Sequence, residues 1–113
     1  TMLPKSHRLH LDKDIKTLFA KGKGVFDVYA GFKCRRNGLP ESRFAVVVGL
    51  KVSKSAVVRN RVRRQLREII RLRLDVIKPG FDVMILVRKE AIGKSYEQLE
   101  KHILDGFKKG GLL

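Results

Sequence analysis

A dense set of arginines is the part of this sequence best suited to binding a partner. Between Arg59 and Arg73 there are seven arginines and a single acid, Glu68. Apolar residues recur through the same stretch at helical spacing and form one stripe: Val58, Val62, Leu66, Ile69 and Ile70. At about 100° per residue, five polar residues fall opposite that stripe: Asn60, Arg63, Arg64, Arg67 and Arg71. Because guanidinium groups bind phosphates bidentately and stack on bases, this arc predicts a nucleic-acid surface.

An ordinary solvated helix face is the alternative explanation of these charges. Solvated faces usually mix Glu with Lys, since opposite charges one turn apart stabilise a helix. Here like charges stand four residues apart, as in Arg63 and Arg67, and such pairs destabilise the helix. With Lys51 and Lys54, residues 51–73 hold nine basic residues and one acid, a formal charge of +8 out of +15 for the chain. We therefore favour a binding surface.

The overall composition also points to an anionic partner. The chain has 113 residues, 43% of them hydrophobic, which is enough for a single domain with its own core over residues 1–113. The 26 Lys and Arg outnumber the 11 Asp and Glu, and nucleic acid is favoured over a membrane surface because each basic contact releases a condensed counterion. No apolar run approaches the roughly 20 residues that span a bilayer, and the first residues lack the apolar core of a signal peptide. We expect a soluble cytoplasmic protein.

The first part of the chain predicts a helix after an irregular start. Residues 1–11 form a basic N-terminal segment, and Asp12 is expected to cap the helix that follows. The apolar positions of that helix have i, i+3, i+4 spacing: Ile15, Leu18 and Phe19. Gly22 and Gly24 end it. The lone Cys34 excludes an intramolecular disulfide and a cysteine-based zinc cluster.

Strand patterns flank the basic helix on both sides. Residues 25–36 alternate as one strand, and the Asn-Gly-Leu-Pro sequence at 37–40 predicts a turn. Residues 44–50 and 81–87 are apolar throughout, which is typical of strands buried on both faces. The basic helix is predicted over residues 56–74, between these two strands.

The C-terminal part predicts a last helix. Ser95 and Gln98 have the spacing of a capping box, and residues 108–113 are expected to fray. The predicted order is α-β-β-α-β-α. This order favours an α+β fold, a compact α-β sandwich in which helices cover a small sheet.

The basic stretch also carries a recognisable motif. Residues 51–68 include Lys51, an Arg-Asn pair at 59–60, two basic residues at 63–64 and an Arg-Glu pair at 67–68. This pattern resembles the arginine- and asparagine-rich signature of the bacterial ribonuclease P protein family. The similarity extends from about residue 4 to residue 107. It departs from the family at Leu50, where a second lysine is common, and at Ile15, where an aromatic is common.

The resemblance implies a function. In this family the RNA subunit cleaves the 5′ leader from precursor tRNA with bound Mg²⁺, so the protein is part of an enzyme but holds no cofactor and no catalytic residue. The protein binds the RNA subunit and the single-stranded leader, strengthens substrate and Mg²⁺ affinity, and requires no protein partner. The implied fold resembles that of a ribosomal protein and has a left-handed βαβ crossover, although right-handed crossovers are the general rule.

The resemblance also implies two sets of site residues. The RNA-subunit surface would comprise Lys51, Lys54, Arg59, Asn60, Arg63, Arg64, Arg67 and Arg71. The leader would lie between the first helix and the sheet, on Phe19, Phe32, Lys33 and Arg35. Stacking on aromatics holds unpaired nucleotides with little sequence preference. The spacing of Phe19 with Ile15 equally fits a core residue, so both interpretations of Phe19 stay open.

Three other classes of protein compete with this interpretation. A ribosomal or other structural RNA-binding protein would explain the charge and the size, but not the signature motif. A protein-only nuclease would need clustered carboxylates for Mg²⁺, whereas the acids here are scattered and His7, His10 and His102 have no obvious partners. A basic membrane-surface protein would need an exposed apolar helix face beside the arginines.

Overall fold

A computed structural model describes residues 3–113 as three α-helices and four β-strands; Thr1 and Met2, part of the predicted basic N-terminal segment, lie outside the described residues. In chain order the elements are α1 (Asp12–Lys21), β1 (Lys23–Phe26), β2 (Ala30–Arg36), β3 (Arg43–Val47), α2 (Ala56–Arg71), β4 (Phe81–Val87) and α3 (Tyr96–Lys109). Short 3₁₀ turns occur at Lys5–His7 and Lys89–Ala91.

The four strands form one mixed sheet in the order β1-β2-β4-β3. The β1–β2 and β2–β4 pairs are antiparallel, and β3 and β4 are parallel. Since α2 connects the two parallel strands, the chain contains the predicted βαβ crossover; its left-handed sense stays a prediction from the resemblance. The α+β fold with helices on a small sheet is confirmed.

The stretch predicted as one strand over residues 25–36 is a hairpin of two strands. Asp27 makes the turn, because its carboxylate accepts a hydrogen bond from the backbone N–H of Tyr29 at 2.9 Å. The backbone N–H of Asp27 donates to the Ala30 carbonyl, also at 2.9 Å. The observed order is therefore α-β-β-β-α-β-α, one strand more than predicted.

The two apolar strands differ in burial. In β4, at the centre of the sheet, Val83, Met84 and Ile85 are fully buried, so the prediction for residues 81–87 is confirmed. In β3, at the edge, Val47 is 39% exposed, so burial on both faces is wrong for residues 44–50. An unbroken apolar run does not distinguish a central strand from an edge strand, because strand order depends on contacts between distant parts of the chain.

The core lies on both faces of the sheet. On one face, α2 and α3 pack on β2, β3 and β4, and the rings of Phe32 and Phe107 meet edge to face at 5.8 Å. On the other face, α1 and the N-terminal segment form a smaller cluster with Leu9, Leu18 and Met84 at its centre. This second face is covered only in part, and part of the predicted leader-binding site lies on it.

One predicted helix boundary is confirmed and another is corrected. The capping box of α3 is present: the Gln98 N–H donates to the Ser95 hydroxyl at 3.2 Å, and the Ser95 N–H donates to Gln98 Oε1 at 3.0 Å. Asp12 does not cap α1. Leu11 holds the cap position without a side-chain hydrogen bond, and Asp12 lies in the first turn, where its charge is favourable to the helix dipole.

The C-terminal tail at residues 108–113 is ordered, so its predicted fraying is wrong. Gly111 has a left-handed backbone (φ 80°) that ends α3 and turns the chain back. The N–H of Leu112 then donates to the Phe107 carbonyl at 2.8 Å, and the Leu112 carbonyl accepts from Lys78 N–H at 2.8 Å. Because this turn buries the Leu112 side chain completely, the tail is anchored to the core.

Candidate nucleic-acid interface

The α2 helix presents the predicted basic face. Its buried side consists of Val62, Leu66, Ile69 and Ile70, which pack into the main core. Ser55 caps the helix by accepting a hydrogen bond from the Val58 N–H at 3.3 Å. Since the apolar stripe fixes the rotation of α2, the arginines opposite it are directed away from the core.

The arginines of α2 fall into two groups. Arg61, Arg64 and Arg67 are exposed and have no hydrogen bond or ion pair with any residue in 3–113. The others are engaged within the helix or just before it. Arg59 Nη1 donates to the Ser53 carbonyl at 2.8 Å, Arg63 donates to Asn60, and Arg71 makes a bidentate pair with Glu68 at 2.6 and 3.0 Å. The guanidinium groups of Arg61, Arg64 and Arg67 are therefore available to phosphates without breaking an internal contact.

Arg61 belongs to this surface and was missing from the predicted set. It lies at the border between the basic arc and the apolar stripe, so helical periodicity alone did not include it. Lys51 and Lys54 are exposed in the loop before α2, as predicted. Arg73, in contrast, pairs with Glu100 of α3 at 3.3 Å and ties the two helices together.

Three of the four predicted leader-site residues lie on the α1 side of the sheet or on α1. Lys33 pairs in register with Met84, whose side chain belongs to the cluster beneath α1, and Arg35 lies two residues farther along the same face. Phe19 is 50% exposed, whereas its neighbour Leu18 is buried. The core interpretation of Phe19 is therefore wrong, because α1 packs through Ile15 and Leu18 and leaves Phe19 half exposed.

Phe32 lies on the opposite face, so its assignment to the leader site is wrong. Its side chain is 2% exposed and packs in the main core against Phe107. A Cβ atom on Gly106 of α3 would come within 2.3 Å of the Phe32 ring, so the glycine provides the space that this ring occupies. Neighbouring strand residues point to opposite faces, and an error of one residue in the first strand exchanges Phe32 for Lys33.

Sequence reasoning also missed an aromatic residue on the open face. Phe26 is 63% exposed, and it pairs in register with Gly31, which places it on the same face as Lys33. The Arg88 guanidinium lies 5.0 Å from the centre of the Phe26 ring. An exposed ring beside an arginine is a combination that stacks on unpaired bases. Recognising the turn at Asp27 would have placed Phe26 on this face.

An ion cluster closes one end of this open face. Arg43 makes two hydrogen bonds to the Asp82 carboxylate, at 2.8 and 2.7 Å, and lies 3.3 Å from Asp14 of α1. Asn37 donates to Asp82 at 3.0 Å. Hydrogen bonding to Asp82 raises the pKa of Arg43 above its ordinary value, so the guanidinium stays charged. The cluster joins α1, β3 and β4, and it borders a cavity of about 200 Å³ that includes Arg35.

We expect Asp82→Asn to destabilise the protein by about 1.5–3 kcal/mol, because it weakens two charge-assisted hydrogen bonds and leaves Arg43 half-paired in a largely buried position. Chemical denaturation of the variant and of the parent protein measures this loss. Glu41→Gln, which removes a carboxylate that pairs with His7 at 2.9 Å outside the cluster, is the control and should change stability by less than about 1 kcal/mol. Equal stability of all three proteins would contradict a structural role for the cluster.

Two of the three histidines pair with carboxylates. His7 contacts Glu41 and the Ser42 carbonyl, and His102 contacts the Asp27 carboxylate at 2.9 Å, so the expectation that these histidines lack partners is wrong. Burial raises the pKa of the Cys34 thiol to about 11. Within residues 3–113, three or more His, Cys, Asp or Glu side chains do not converge to form a metal site. Over the same residues, no helix is long and apolar enough to cross a membrane.

Comparison with known proteins gives consistent matches over nearly the whole chain. A family model described as Ribonuclease P matches residues 3–111. The ribonuclease P protein component of Synechocystis sp. is 38% identical over 114 residues, which cover 98% of this chain and 90% of that protein. The corresponding protein of Bacillus cereus is 32% identical over 111 residues, which cover 97% of this chain and 96% of that protein.

Solved structures give the same fold. The RNase P protein from Thermotoga maritima, in complex with 1-(4-fluorophenyl)-2-thiourea, is similar with a TM-score of 0.84 and 32% identity, over 90% of this chain and 98% of that one. The RNase P protein of Staphylococcus aureus is similar with a TM-score of 0.88, over 96% of this chain and 98% of that one. At 21% identity the second likeness concerns the fold alone.

Proposed function

The chain belongs to the ribonuclease P protein component family, and from this membership we propose that it is the protein subunit of the ribonucleoprotein that removes the 5′ leader from precursor tRNA. In this proposal the RNA subunit carries the chemistry, and the protein contributes two binding surfaces on opposite faces of the sheet. The protein acts in the cytoplasm, where precursor tRNA is processed, and needs no second protein.

The basic face of α2 binds the RNA subunit. The observation that carries this assignment is a set of three exposed arginines on a helix whose opposite side is fixed in the core. These are Arg61, Arg64 and Arg67, and none of them has a partner within residues 3–113. Lys51, Lys54, Arg59, Asn60, Arg63 and Arg71 surround them. An RNA backbone that contacts this face replaces the like-charge repulsion between the arginines by charge-assisted hydrogen bonds.

The open face of the sheet beside α1 binds the 5′ leader. Phe19 and Phe26 supply exposed rings for stacking, and Lys33, Arg35 and Arg88 supply positive charge for the phosphates. Base stacking is tolerant of sequence, which suits a leader that differs from one precursor tRNA to another. This combination of rings and cations favours single-stranded RNA over a duplex, since the bases of a duplex are already stacked on one another.

Magnesium ions act with the RNA subunit. By neutralising phosphates near the cleavage site, the basic surfaces of the protein reduce the repulsion between substrate and RNA subunit, which strengthens the binding of substrate and of Mg²⁺. The protein holds no cofactor of its own.

The test is reconstitution with a bacterial ribonuclease P RNA at moderate Mg²⁺ and salt. We expect the RNA and the protein together to cut precursor tRNA at the 5′ end of the mature sequence, and the protein alone to cut nothing. The complex should also bind precursor tRNA at least about tenfold more tightly than mature tRNA, since each stacked leader base contributes about 1–3 kcal/mol.

The controls separate the competing classes of protein. A structural RNA-binding protein would bind the RNA but leave its cleavage rate and its preference for precursor unchanged. Cleavage by the protein alone, abolished by replacing an acidic residue, would instead indicate a protein-only nuclease. Either result would contradict the proposed function.

A further inference from the structure

We propose that a pocket between the N-terminal segment and the free edge of β3 binds one unpaired nucleotide of the RNA subunit, with the base inside the pocket and the phosphate at its rim. This inference rests on the proposed function, because it takes the RNA subunit as the partner. It adds a site for a single base to the basic face of α2.

The pocket is formed where the N-terminal segment leaves the sheet. Arg8 pairs with Phe44 as a parallel bridge, and the Leu9 N–H donates to the Phe44 carbonyl at 2.9 Å. Arg8 Nε donates to the Leu3 carbonyl at 2.7 Å, which closes the segment into a loop. Beyond Leu9 the chain turns into α1, and a cavity of about 260 Å³ remains beside β3.

The interior of the pocket suits a flat apolar group. Leu3, Leu9 and Phe44 are each at most 4% exposed, and Val46 completes the lining from the sheet. The volume lies just below the range of about 300–1,000 Å³ that is typical of small-molecule sites. It is therefore suited to one ring system rather than to a larger ligand.

The edge of β3 offers hydrogen bonds inside this apolar lining. In a strand, the N–H and C=O of one residue point to the same edge, and those of its neighbours point to the other. Because the Phe44 carbonyl faces the N-terminal segment, the N–H and C=O of Val46 face the same free edge. No residue in the described part of the chain hydrogen-bonds to Val46 on that edge. A donor beside an acceptor matches the edge of an unpaired base, which also presents donors next to acceptors.

The rim of the pocket favours a nucleotide over other apolar ligands. Arg8, His10 and Arg67 line it, and Arg67 belongs to the exposed arginines of α2 that have no partner among the described residues. The pocket is thus continuous with the RNA-binding face. An extruded base could enter it while the flanking phosphates remain on the arginines. The alternative occupant, an extended peptide added to the edge of β3, would not make use of the cationic rim.

Filling the pocket without changing charge tests this site. We expect Val46→Phe to weaken binding of the RNA subunit about tenfold and to leave the dependence of binding on salt concentration unchanged, since no phosphate contact is removed. Val76→Phe is the matched control, because Val76 is 56% exposed in the loop after α2 and does not line the pocket. A folded Val46→Phe protein with parental RNA affinity would overturn the pocket while leaving the proposed function intact.

A second measurement on the unmodified protein remains decisive if Val46→Phe does not fold. Adenosine 5′-monophosphate and a short single-stranded oligoribonucleotide are titrated against the ¹⁵N-labelled protein. We expect saturable shifts of the Leu9, His10 and Val46 amide signals. Shifts confined to other surfaces with both probes would overturn the proposal, and so would binding of an extended peptide, but of neither RNA probe, at Val46. If RNA-subunit binding is itself absent, the proposed function fails first, and the reconstitution experiment reports that separately.

Discussion

The double substitution of Arg64 and Arg67 by Ala should weaken binding of the ribonuclease P RNA subunit by about a hundredfold or more. Each guanidinium group is exposed and lacks a partner in the part of the chain that the structure describes. Both are therefore available for charge-assisted contacts worth about 1.5–3 kcal/mol apiece, and about 1.4 kcal/mol corresponds to a factor of ten. The slope of log affinity against log salt should fall by about 1.4–1.8, because two phosphate contacts are lost. Filter binding or fluorescence titration over a series of salt concentrations measures both quantities.

The matched control for this variant removes the same charge elsewhere. Lys108 and Lys109 are exposed at the end of α3, and replacing both by Ala lowers the net charge equally. This control should lose less than about threefold in affinity, because screening weakens charges beyond a Debye length of about 8–10 Å from the contact. Equal losses in the two variants would mean that total charge, and not the face of α2, determines binding. The Arg64 and Arg67 variant should keep its thermal stability or gain slightly, as like-charge repulsion along α2 is relieved.

Phe32→Ala should lower the free energy of unfolding by about 3–5 kcal/mol, the usual cost of removing a phenyl ring from a packed core. At about 4 °C per kcal/mol or more for a domain of this size, the melting temperature should fall by at least about 12 °C. The physical reason is the contact of the ring with Phe107 and Gly106 on the α3 side of the sheet. Thermal unfolding followed by circular dichroism measures this effect.

Phe19→Ala is the counterpart of this substitution, because it also removes a phenyl ring, but from the exposed side of α1. We expect its melting temperature to stay within a few degrees of the parent protein, since half of the ring is already in water. Its complex with the RNA subunit should lose about 1–3 kcal/mol of the preference for precursor over mature tRNA. If Phe32→Ala were stable and lost this preference while Phe19→Ala did not, the sides assigned to the two rings would be wrong.

Features that depend on neighbouring residues along the chain could be predicted from the sequence alone. The apolar stripe and the basic arc of α2 follow from a period of 3.6 residues, and both are present as predicted. The capping box at Ser95 depends on two residues three positions apart. The family could also be recognised from the linear order of the motif in residues 51–68, and the comparisons with known proteins confirm it. These features need no knowledge of which strand lies beside which.

Features that depend on strand order and register could not be predicted in this way. A shift of one residue reverses the face on which a strand residue lies, so the turn at Asp27 decided that Phe32 is core and that Phe26 is on the open face. The position of β3 at the sheet edge, with Arg8 and Leu9 alongside it, created a pocket that no local pattern encodes. Leu112 is anchored for the same reason: its partners, Lys78 and Phe107, are brought together only by the packing of α3 on the sheet. Contacts between residues far apart in the chain leave no local period in the sequence, so they depend on the three-dimensional packing of the elements.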